Sequence, residues 1–193
     1  MGPGALVLVV GPSGSGKDTL LRYARERIDD PRIVFCRRII TRDTSAHEDH
    51  DIIGEAAFDE AAARDAFALH WRAHGLSYAL PASTDAALSL GDAVVANASR
   101  AVVPQARDRY RNVRVVWLDV PPAVARDRLL ARSRETADDV AKRLERADAI
   151  APSGADVTVL DNSGPIAVAG ERLVALLLDA VAGTRTAQPA ISR

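Results

Sequence analysis

The hydrophobic residues of the chain fall into five short apolar runs, each rich in Val, Leu or Ile and long enough for one strand. Most segments between these runs carry apolar residues at helical spacing. Strands that are apolar throughout and alternate with helices are typical of a parallel sheet covered on both faces. The pattern therefore predicts an α/β fold with a five-stranded parallel sheet flanked by helices. The predicted strands are 5–10, 33–36, 93–97, 113–120 and 156–160, and the predicted helices are 19–28, 55–67, 81–91, 100–110, 121–131, 136–150 and 166–181.

One segment, between the second and third apolar runs, departs from this alternation of strands and helices. Residues 68–73 alternate apolar and polar side chains, and residues 76–80 resume the apolar pattern after the turn sequence His74-Gly75. This predicts a small β-hairpin. The polar stretch 44–51, which precedes it, is predicted to be a loop that faces a ligand or solvent.

The length of 193 residues and the hydrophobic content of 48% suit one substantial core, so we predict a single domain over 1–183. The hairpin is predicted to belong to an acceptor-binding insertion at about 38–90, that is, a segment that would hold a second substrate. A helical lid is predicted at about 126–146, because the helical pattern is interrupted within this range and then resumes. Residues 184–193 are predicted to form a disordered tail.

A glycine-rich turn joins the first predicted strand to the first predicted helix. Its sequence is Gly11-Pro12-Ser13-Gly14-Ser15-Gly16-Lys17-Asp18. In a strand–turn–helix context this spacing is that of a phosphate-binding loop, whose backbone N–H groups curve around an anion while the lysine reaches the outer phosphates. Only Lys17 and Lys142 are lysines among the 25 basic residues, so the lysine at the motif position is informative. We predict that residues 11–17 hold ATP.

Asp18 departs from the usual form of this motif, which has Ser or Thr after the lysine to contact magnesium. A carboxylate is also a hard oxygen ligand. Asp18 is therefore predicted to bind Mg²⁺, either directly or through a water molecule.

The composition restricts the partners of the protein. A formal charge of −1 provides no overall field for nucleic acid or an acidic membrane, and the single Cys36 excludes an internal disulfide and a thiolate metal cage. No apolar stretch approaches the roughly 20 residues that span a bilayer. We therefore expect a cytoplasmic protein that acts on small molecules, with neither nucleic acid nor membrane as a partner, either as a monomer or as a homodimer.

Several arginines are placed where they can assist phosphoryl transfer, whose barrier is lowered mainly by alignment and charge neutralisation. Arg38 and Arg42 follow the second predicted strand, where they can grip an acceptor phosphate. Arg132, Arg134 and Arg143 flank the interruption in the predicted lid, where they can close over ATP. Any one of these arginines can also be a solvated surface charge. Their positions therefore support a role in phosphoryl transfer for the set of arginines more strongly than for any single one.

The end of the third predicted strand bears on the identity of the acceptor. Transfer to a sugar hydroxyl needs a base, usually an aspartate, whereas transfer to a phosphate does not. The strand ends in Asn97, followed by Ser99 and Arg100, which suit a polar, phosphorylated acceptor. This favours transfer from phosphate to phosphate, although Asp18 or Asp43 is still available as a base.

Several motifs together resemble the guanylate kinase fold over nearly the whole chain, which implies a P-loop kinase. They are Gly11-Pro12-Ser13-Gly14 with Gly16-Lys17, Thr41-Arg42, Trp71 with His74-Gly75 and Tyr78, and Arg134-Glu135 before Arg143. The resemblance breaks down where guanine would be recognised. Guanylate kinases continue after the arginine with Gly-Glu-x-x-Gly-x-x-Tyr, whereas residues 44–53 contain no tyrosine.

At that point the chain resembles a sister family, the ribose 1,5-bisphosphate phosphokinases of bacterial phosphonate catabolism. The shared features are the loop with Asp18, Thr41-Arg42-Asp43 with Ser45-Ala46, Glu48 and His50, His74-Gly75-Leu76 with Tyr78, Asn97 with Ser99-Arg100, and Pro104-Gln105-Ala106-Arg107 with Arg109-Tyr110. The resemblance implies transfer of the γ-phosphate of ATP to the 1-phosphate of ribose 1,5-bisphosphate. The products would be 5-phosphoribosyl 1-diphosphate (PRPP) and ADP, with magnesium as cofactor.

The positions described above and the resemblance together imply roles for individual residues. The catalytic candidates are Lys17, Asp18, Arg42 and Arg134, and the ATP site adds Arg132, Arg143 and Asn162 to residues 11–18, with Asn162 against the adenine. The acceptor candidates are Arg38, Arg42, His50, Tyr78, Asn97, Ser99 and Arg100. Two of these have plain alternatives, because His50 can be a solvated histidine and Tyr78 can serve only the packing of the hairpin.

Two other functions stay open on the sequence. One is a guanylate kinase or another nucleoside monophosphate kinase with altered base choice. The other is a catalytically silent guanylate-kinase-like module that binds a protein partner. Such modules lose the phosphate-binding loop, so the intact residues 11–17 count against the second alternative.

Overall fold

The computed structural model of the protein describes residues 2–41, 50–73, 75–131 and 151–185. Its strands are β1 (Ala5–Val10), β2 (Ile33–Phe35), β3 (Arg38–Ile40), β4 (His50–Ile52), β5 (Phe67–Ala73), β6 (Leu76–Pro81), β7 (Ala93–Asn97), β8 (Val113–Asp119) and β9 (Val157–Asp161). Its helices are α1 (Lys17–Arg25), α2 (Glu55–Ala63), α3 (Ser83–Leu90), a 3-10 turn (Arg100–Val102), α4 (Val103–Arg109), α5 (Pro122–Ala131) and α6 (Ile166–Arg185).

The main sheet has five strands in the order β2-β7-β1-β8-β9, and every neighbouring pair is parallel. This confirms the predicted five-stranded parallel sheet flanked by helices. β1 lies at the centre of the sheet, and all six of its residues are buried because both faces are covered. The carboxyl ends of the strands meet at one edge, and the glycine-rich turn follows β1 at that edge.

Alternate side chains of β1 pack into two separate cores. Leu6, Leu8 and Val10 pack with α3, α4 and part of a second sheet. Ala5, Val7 and Val9 face the other way and pack with α1 and α6. Since successive side chains of a strand point to opposite faces, β1 is held from both sides. The turn that follows β1 therefore starts from a rigid position.

The second sheet lies between β2 and β7 in the sequence and has the order β4-β3-β6-β5. Strands β5 and β6 form the predicted hairpin and are antiparallel. The prediction had only the two strands of the hairpin, whereas the sheet has four, because β3 pairs with both β6 and β4. Each of these two added strands has only three residues, which is too few to produce a recognisable alternation in the sequence.

Helix α2 ends at Ala63, so the prediction that it continues to residue 67 was wrong. Asp65 adopts a left-handed conformation with φ +51°, which short polar residues tolerate better than most, and the chain turns there. Phe67 then begins β5 and packs back on the helix, with its ring centroid 4.9 Å from that of Phe58. An apolar residue that fits the helical pattern belongs instead to the strand that covers the helix.

Some predictions fall on residues that the structure does not describe. These are the helix at 136–150, most of the lid at 126–146 and most of the tail at 184–193. The domain limits of 1–183 stay a prediction. Within the described ranges, no helix combines the length and the apolar character needed to cross a membrane.

Tyr110, which follows α4, links the main core to the second sheet. Its hydroxyl donates to Asp85 Oδ1 at 2.6 Å and also lies 3.2 Å from the carbonyl oxygen of Ala68. Arg109 donates to the other oxygen of Asp85 at 2.8 Å. Burial, and then the hydrogen bond to Asp85, raise the pKa of Tyr110 above its ordinary value. The phenol is therefore a permanent donor that joins α3, α4 and β5.

We predict that Tyr110→Phe lowers the free energy of unfolding by about 1–2 kcal/mol, because it removes the hydroxyl from Asp85 Oδ1 and from the Ala68 carbonyl. Tyr23→Phe is the matched control, since the Tyr23 hydroxyl donates to Glu171 at an exposed position. It should change the free energy of unfolding by less than about 0.5 kcal/mol. Urea unfolding of the three proteins measures both values, and equal effects would contradict the proposed link.

Candidate active site

The glycine-rich turn, residues 11–16, is shaped by close contacts at its glycines. Gly16 is the N-cap residue of α1 and has φ +87°, and Gly14 has φ +78°, both in the left-handed region that favours glycine. A Cβ on Gly14 would lie 2.5 Å from the backbone oxygen of Ala125, and one on Gly16 would lie 2.8 Å from Asn162 Nδ2. These contacts bring the N-terminus of α1 to the carboxyl edge of the main sheet, where its N–H groups and dipole favour an anion.

The side chain of Lys17 folds back over this turn. Its Nζ donates to the carbonyl oxygens of Gly11 at 2.7 Å and Pro12 at 2.9 Å, and lies 3.4 Å from Ser15 Oγ. An ammonium group has three donors on a flexible stem, so these bonds can be exchanged for stronger, charge-assisted bonds to a phosphate. The structure thus places the predicted cation at the mouth of the loop.

Asn162 follows β9 and lies directly against the loop. The residue is 2% exposed, and its Nδ2 donates to the carbonyl oxygen of Ser15 at 2.7 Å. Its backbone N–H donates to the carbonyl oxygen of Asp119 at the end of β8. The structure therefore brings Asn162 to the loop, and its predicted contact with adenine stays a prediction.

Asp18 lies where the main sheet meets the second sheet. Asn97, the last residue of β7, donates from Nδ2 to Asp18 Oδ1 at 2.5 Å. The guanidinium of Arg38, from β3, lies 3.9 Å from the same oxygen. The side chain of Asp18 is 56% exposed and that of Arg38 is 15% exposed, so the carboxylate is also open to solvent. Three predicted site residues from three elements are thus brought together.

The register of the second sheet places the acceptor candidates on one face. Arg38 lies opposite His50, and Ile40, two residues after Arg38, lies opposite Tyr78. Residues opposite or two apart share a face of a sheet, so Arg38, His50 and Tyr78 point to the same side. The Arg38 guanidinium lies 5.8 Å from the centre of the Tyr78 ring. Tyr78 is itself stacked on Trp71 at 5.5 Å, which fixes its ring.

Thr41, the last described residue before the predicted arginine at 42, is tied firmly into the second sheet. The backbone N–H of Ser77 donates to Thr41 Oγ1 at 2.9 Å, and the Ser77 hydroxyl donates to Glu55 at 2.7 Å. Hydrogen bonds from Thr41 and then from Ser77 hold the pKa of Glu55 below its ordinary value. Position 41 is therefore fixed.

Ser99 and Arg100 follow β7, but their side chains are not part of the cluster around Asp18. The hydroxyl of Ser99 accepts a hydrogen bond from the backbone N–H of Ala101, so it caps the next helical segment. Arg100 is exposed. Their roles toward an acceptor stay predictions.

Arg128 was missed by sequence reasoning. It lies on α5, and its Nη1 is 3.7 Å from the position that a Cβ on Gly16 would take. This nitrogen is buried and has no hydrogen-bond partner among the described residues. Arg128 precedes Arg132, a predicted ATP-site residue, by four positions, and this spacing in the sequence was a signal that could have found it. Arg42, Arg132, Arg134 and Arg143 lie outside the described residues.

Within the part of the chain that the structure describes, no cluster of three or more His, Cys, Asp or Glu residues could form a metal cage. Magnesium does not need such a cage, because it is usually held by one or two carboxylates together with substrate phosphates and water. Asp18, half exposed beside the phosphate-binding loop, suits that kind of binding.

The fold is shared with solved kinase structures. A guanylate kinase from Anaplasma phagocytophilum aligns with 91% of this chain and 85% of its own chain at a TM-score of 0.67 and 17% identity. A sugar kinase from Janibacter sp. HTCC2649 aligns with 94% of this chain and 98% of its own at a TM-score of 0.54 and 20% identity. At these identities the likeness shows the fold alone.

Sequence relatives are much closer. A ribose 1,5-bisphosphate phosphokinase PhnN from Methylobacterium radiotolerans is 51% identical over 91% of this chain and 98% of its own length. Proteins with the same description from Thiobacillus denitrificans and Burkholderia pseudomallei are 44% and 46% identical over 96% and 89% of this chain, and over 98% and 94% of their own lengths. No model of a protein family matches the chain. With such identity over nearly the full length, the chain belongs to the ribose 1,5-bisphosphate phosphokinase family.

Proposed function

We propose that the protein transfers the γ-phosphate of ATP to the 1-phosphate of ribose 1,5-bisphosphate and so produces PRPP and ADP. One observation carries this proposal beyond family membership. The phosphate-binding loop on the main sheet and the face of the second sheet that bears Arg38 and Tyr78 meet at Asp18. Two anionic substrates can therefore approach each other from opposite sides of one carboxylate.

On the ATP side, the loop and Lys17 provide the groups that a triphosphate needs. The glycines leave the backbone open to a phosphate, and the N-terminus of α1 adds its dipole. Lys17 can turn from the carbonyl oxygens of Gly11 and Pro12 to the phosphates. Arg132, Arg134 and Arg143 are proposed to close over ATP, on the resemblance to the family and their place in the predicted lid.

On the acceptor side, the site suits a phosphate better than a hydroxyl. A phosphate oxygen is already anionic, so it can form its bond to the γ-phosphorus while the bond to ADP breaks, and no proton has to be removed. Asp18 accepts a hydrogen bond from Asn97 and lies beside Arg38, so its carboxylate is already engaged by groups of the protein. We propose that Arg38, Arg42 and Tyr78, with His50, Asn97, Ser99 and Arg100 around them, hold the acceptor.

We propose Asp18 as the protein group that helps to hold Mg²⁺, directly or through water. When bound, the ion neutralises negative charge on the phosphates. Lys17, Arg42 and Arg134 are proposed to contribute further positive charge around the transferred phosphoryl group. The near-neutral net charge of the chain supports small molecules as partners, in the cytoplasm, without nucleic acid or membrane.

The acceptor proposal is tested by ADP release in the presence of Mg²⁺ and ATP with ribose 1,5-bisphosphate, GMP, dGMP or gluconate. Of the four acceptors, we expect only ribose 1,5-bisphosphate to give rapid ADP release, with PRPP detected as the product by mass spectrometry. Activity with GMP or dGMP, and none with ribose 1,5-bisphosphate, would make the protein a nucleoside monophosphate kinase instead. Failure to bind ATP at all would favour the silent module.

Lys17→Ala should lower kcat by about 10²–10³-fold or more, because it removes a cation that stabilises charge in the transition state. Arg22→Ala is the control, since Arg22 is an exposed basic residue in the last turn of the same helix. It should keep near-normal kcat. Thermal unfolding of both variants checks that the fold survives, and near-normal activity of a folded Lys17→Ala protein would refute the role of the loop.

Arg38→Ala should raise the KM for ribose 1,5-bisphosphate about tenfold or more, while the KM for ATP changes little, because the lost cation faces the acceptor. The side chain of the neighbouring Arg37 is 56% exposed, and it donates to Asp51 at 2.9 Å and to the backbone oxygen of His50 at 3.3 Å. Arg37→Ala should therefore leave both KM values close to those of the parent. Steady-state kinetics with each substrate varied separately distinguish the two variants, and equal effects would remove Arg38 from the acceptor site.

A further inference from the structure

The contact between Asn162 and the phosphate-binding loop joins two distant parts of the chain. Asn162 Nδ2 donates to the carbonyl oxygen of Ser15 at 2.7 Å, across 147 positions of sequence. Both ends of this bond are buried, with Ser15 at 0% and Asn162 at 2% exposure. The backbone of Asn162 is itself fixed, because its N–H donates to the carbonyl oxygen of Asp119 at 2.9 Å. The amide of Asn162 is thus a rigid donor aimed at one peptide group of the loop.

We propose that Asn162 is a positioning residue for ATP binding, which acts by fixing the orientation of the peptide group between Ser15 and Gly16. This inference rests on the proposed binding of ATP by the loop. The carbonyl of Ser15 and the N–H of Gly16 belong to the same planar trans peptide and point in opposite directions. When Asn162 holds the carbonyl on the side of β9, the N–H is turned to the opposite side of the loop, where it can donate to a phosphate.

Gly16 is adapted to this contact in two ways. It adopts φ +87°, which a residue with a Cβ rarely does, and a Cβ at this position would lie 2.8 Å from Asn162 Nδ2. The loop therefore needs a glycine here partly so that Asn162 can approach. A loop peptide without this donor is free to rotate, and each rotation would exchange a phosphate donor for a carbonyl oxygen that repels phosphate.

The side chain of Asn162 is poorly placed to contact a base at the same time. Its Nδ2 is engaged by Ser15, and its Oδ1 is buried with no hydrogen-bond partner among the described residues. A role in base recognition and a role in loop positioning make different predictions, because only the second affects a ligand that has phosphates and no base.

Inorganic tripolyphosphate is such a ligand, and Asn162→Ala is the first variant. We expect Asn162→Ala to weaken both ATP and tripolyphosphate by the same factor, about tenfold, as measured by isothermal titration calorimetry. A loss confined to ATP would show a base contact and overturn the inference, as would unchanged affinity for both. Failure of the unmodified protein to bind either ligand would instead overturn the proposed role of the loop, and the inference with it.

A second variant, Asn162→Asp, tests whether hydrogen-bond donation is what matters. The introduced carboxyl group can donate to the Ser15 carbonyl only when protonated, and burial favours its protonated form. Relative to the unmodified protein at the same pH, we expect ATP affinity about 100-fold lower at pH 8 and within about threefold at pH 5. The ratio corrects for the protonation of ATP itself.

Ser163→Asp is the matched control for added charge, since Ser163 is the next residue in the turn and its backbone N–H bonds to Asp161. A carboxyl group at position 163 is not placed to make the hydrogen bond that Asn162 makes to the Ser15 carbonyl. We expect a small loss of ATP affinity with no recovery toward pH 5. Equal recovery in Ser163→Asp and Asn162→Asp would reduce the effect to charge repulsion and overturn the inference. Should Asn162→Asp fail to fold, the comparison of ATP with tripolyphosphate in Asn162→Ala still decides the question.

Discussion

The structure depends on one constraint: backbone N–H groups at the start of α1 have to stay available to an anion while the rest of the turn is held in place. The surrounding contacts meet this constraint by taking up the carbonyl oxygens instead. Asn162 donates to that of Ser15, and Lys17 donates to those of Gly11 and Pro12 until it turns to a phosphate. Because the carbonyl of Ser15 and the N–H of Gly16 point in opposite directions, the hydrogen bond from Asn162 directs that N–H toward a ligand. The rigid burial of β1 supplies the fixed base for this arrangement.

A second constraint is electrostatic. Two highly charged anions have to be brought together, so each needs its own set of positive or hydrogen-bonding groups. The protein separates the two tasks by sheet: the loop belongs to the main sheet, and Arg38 belongs to the second. The hydroxyl of Tyr110, which follows α4, contacts both Asp85 of α3 and the Ala68 carbonyl of β5, so it joins these helices to the second sheet. The loop and Arg38 therefore follow or belong to strands whose positions are set by packing and pairing.

The sequence alone was sufficient for the main sheet and for the loop, because long apolar runs and a spaced glycine motif are local signals. It was insufficient where structure depends on partners far away in the chain. Strand β3 has three residues and is defined by its pairing with β4 and β6. The spacing of Phe67 fits a helix, but in the structure Phe67 begins β5 and packs on α2. Arg128 lies beside Gly16 because α5 packs against the loop, and this packing cannot be read from the sequence. The contact of Asn162 with Ser15 likewise has no signal in spacing.

Asp18 shows how a departure from a motif can be explained by its surroundings. The usual Ser or Thr offers a single short hydroxyl at this position, whereas a carboxylate has two oxygens and a full charge. One oxygen of Asp18 accepts from Asn97 and lies 3.9 Å from Arg38, and half of the side chain is still open to solvent. Asp18 can therefore connect the main sheet to the acceptor side and retain an oxygen for a metal ion. A hydroxyl could supply the metal contact but carries no charge to balance Arg38, so the substitution at position 18 and the arginine at position 38 are best understood together.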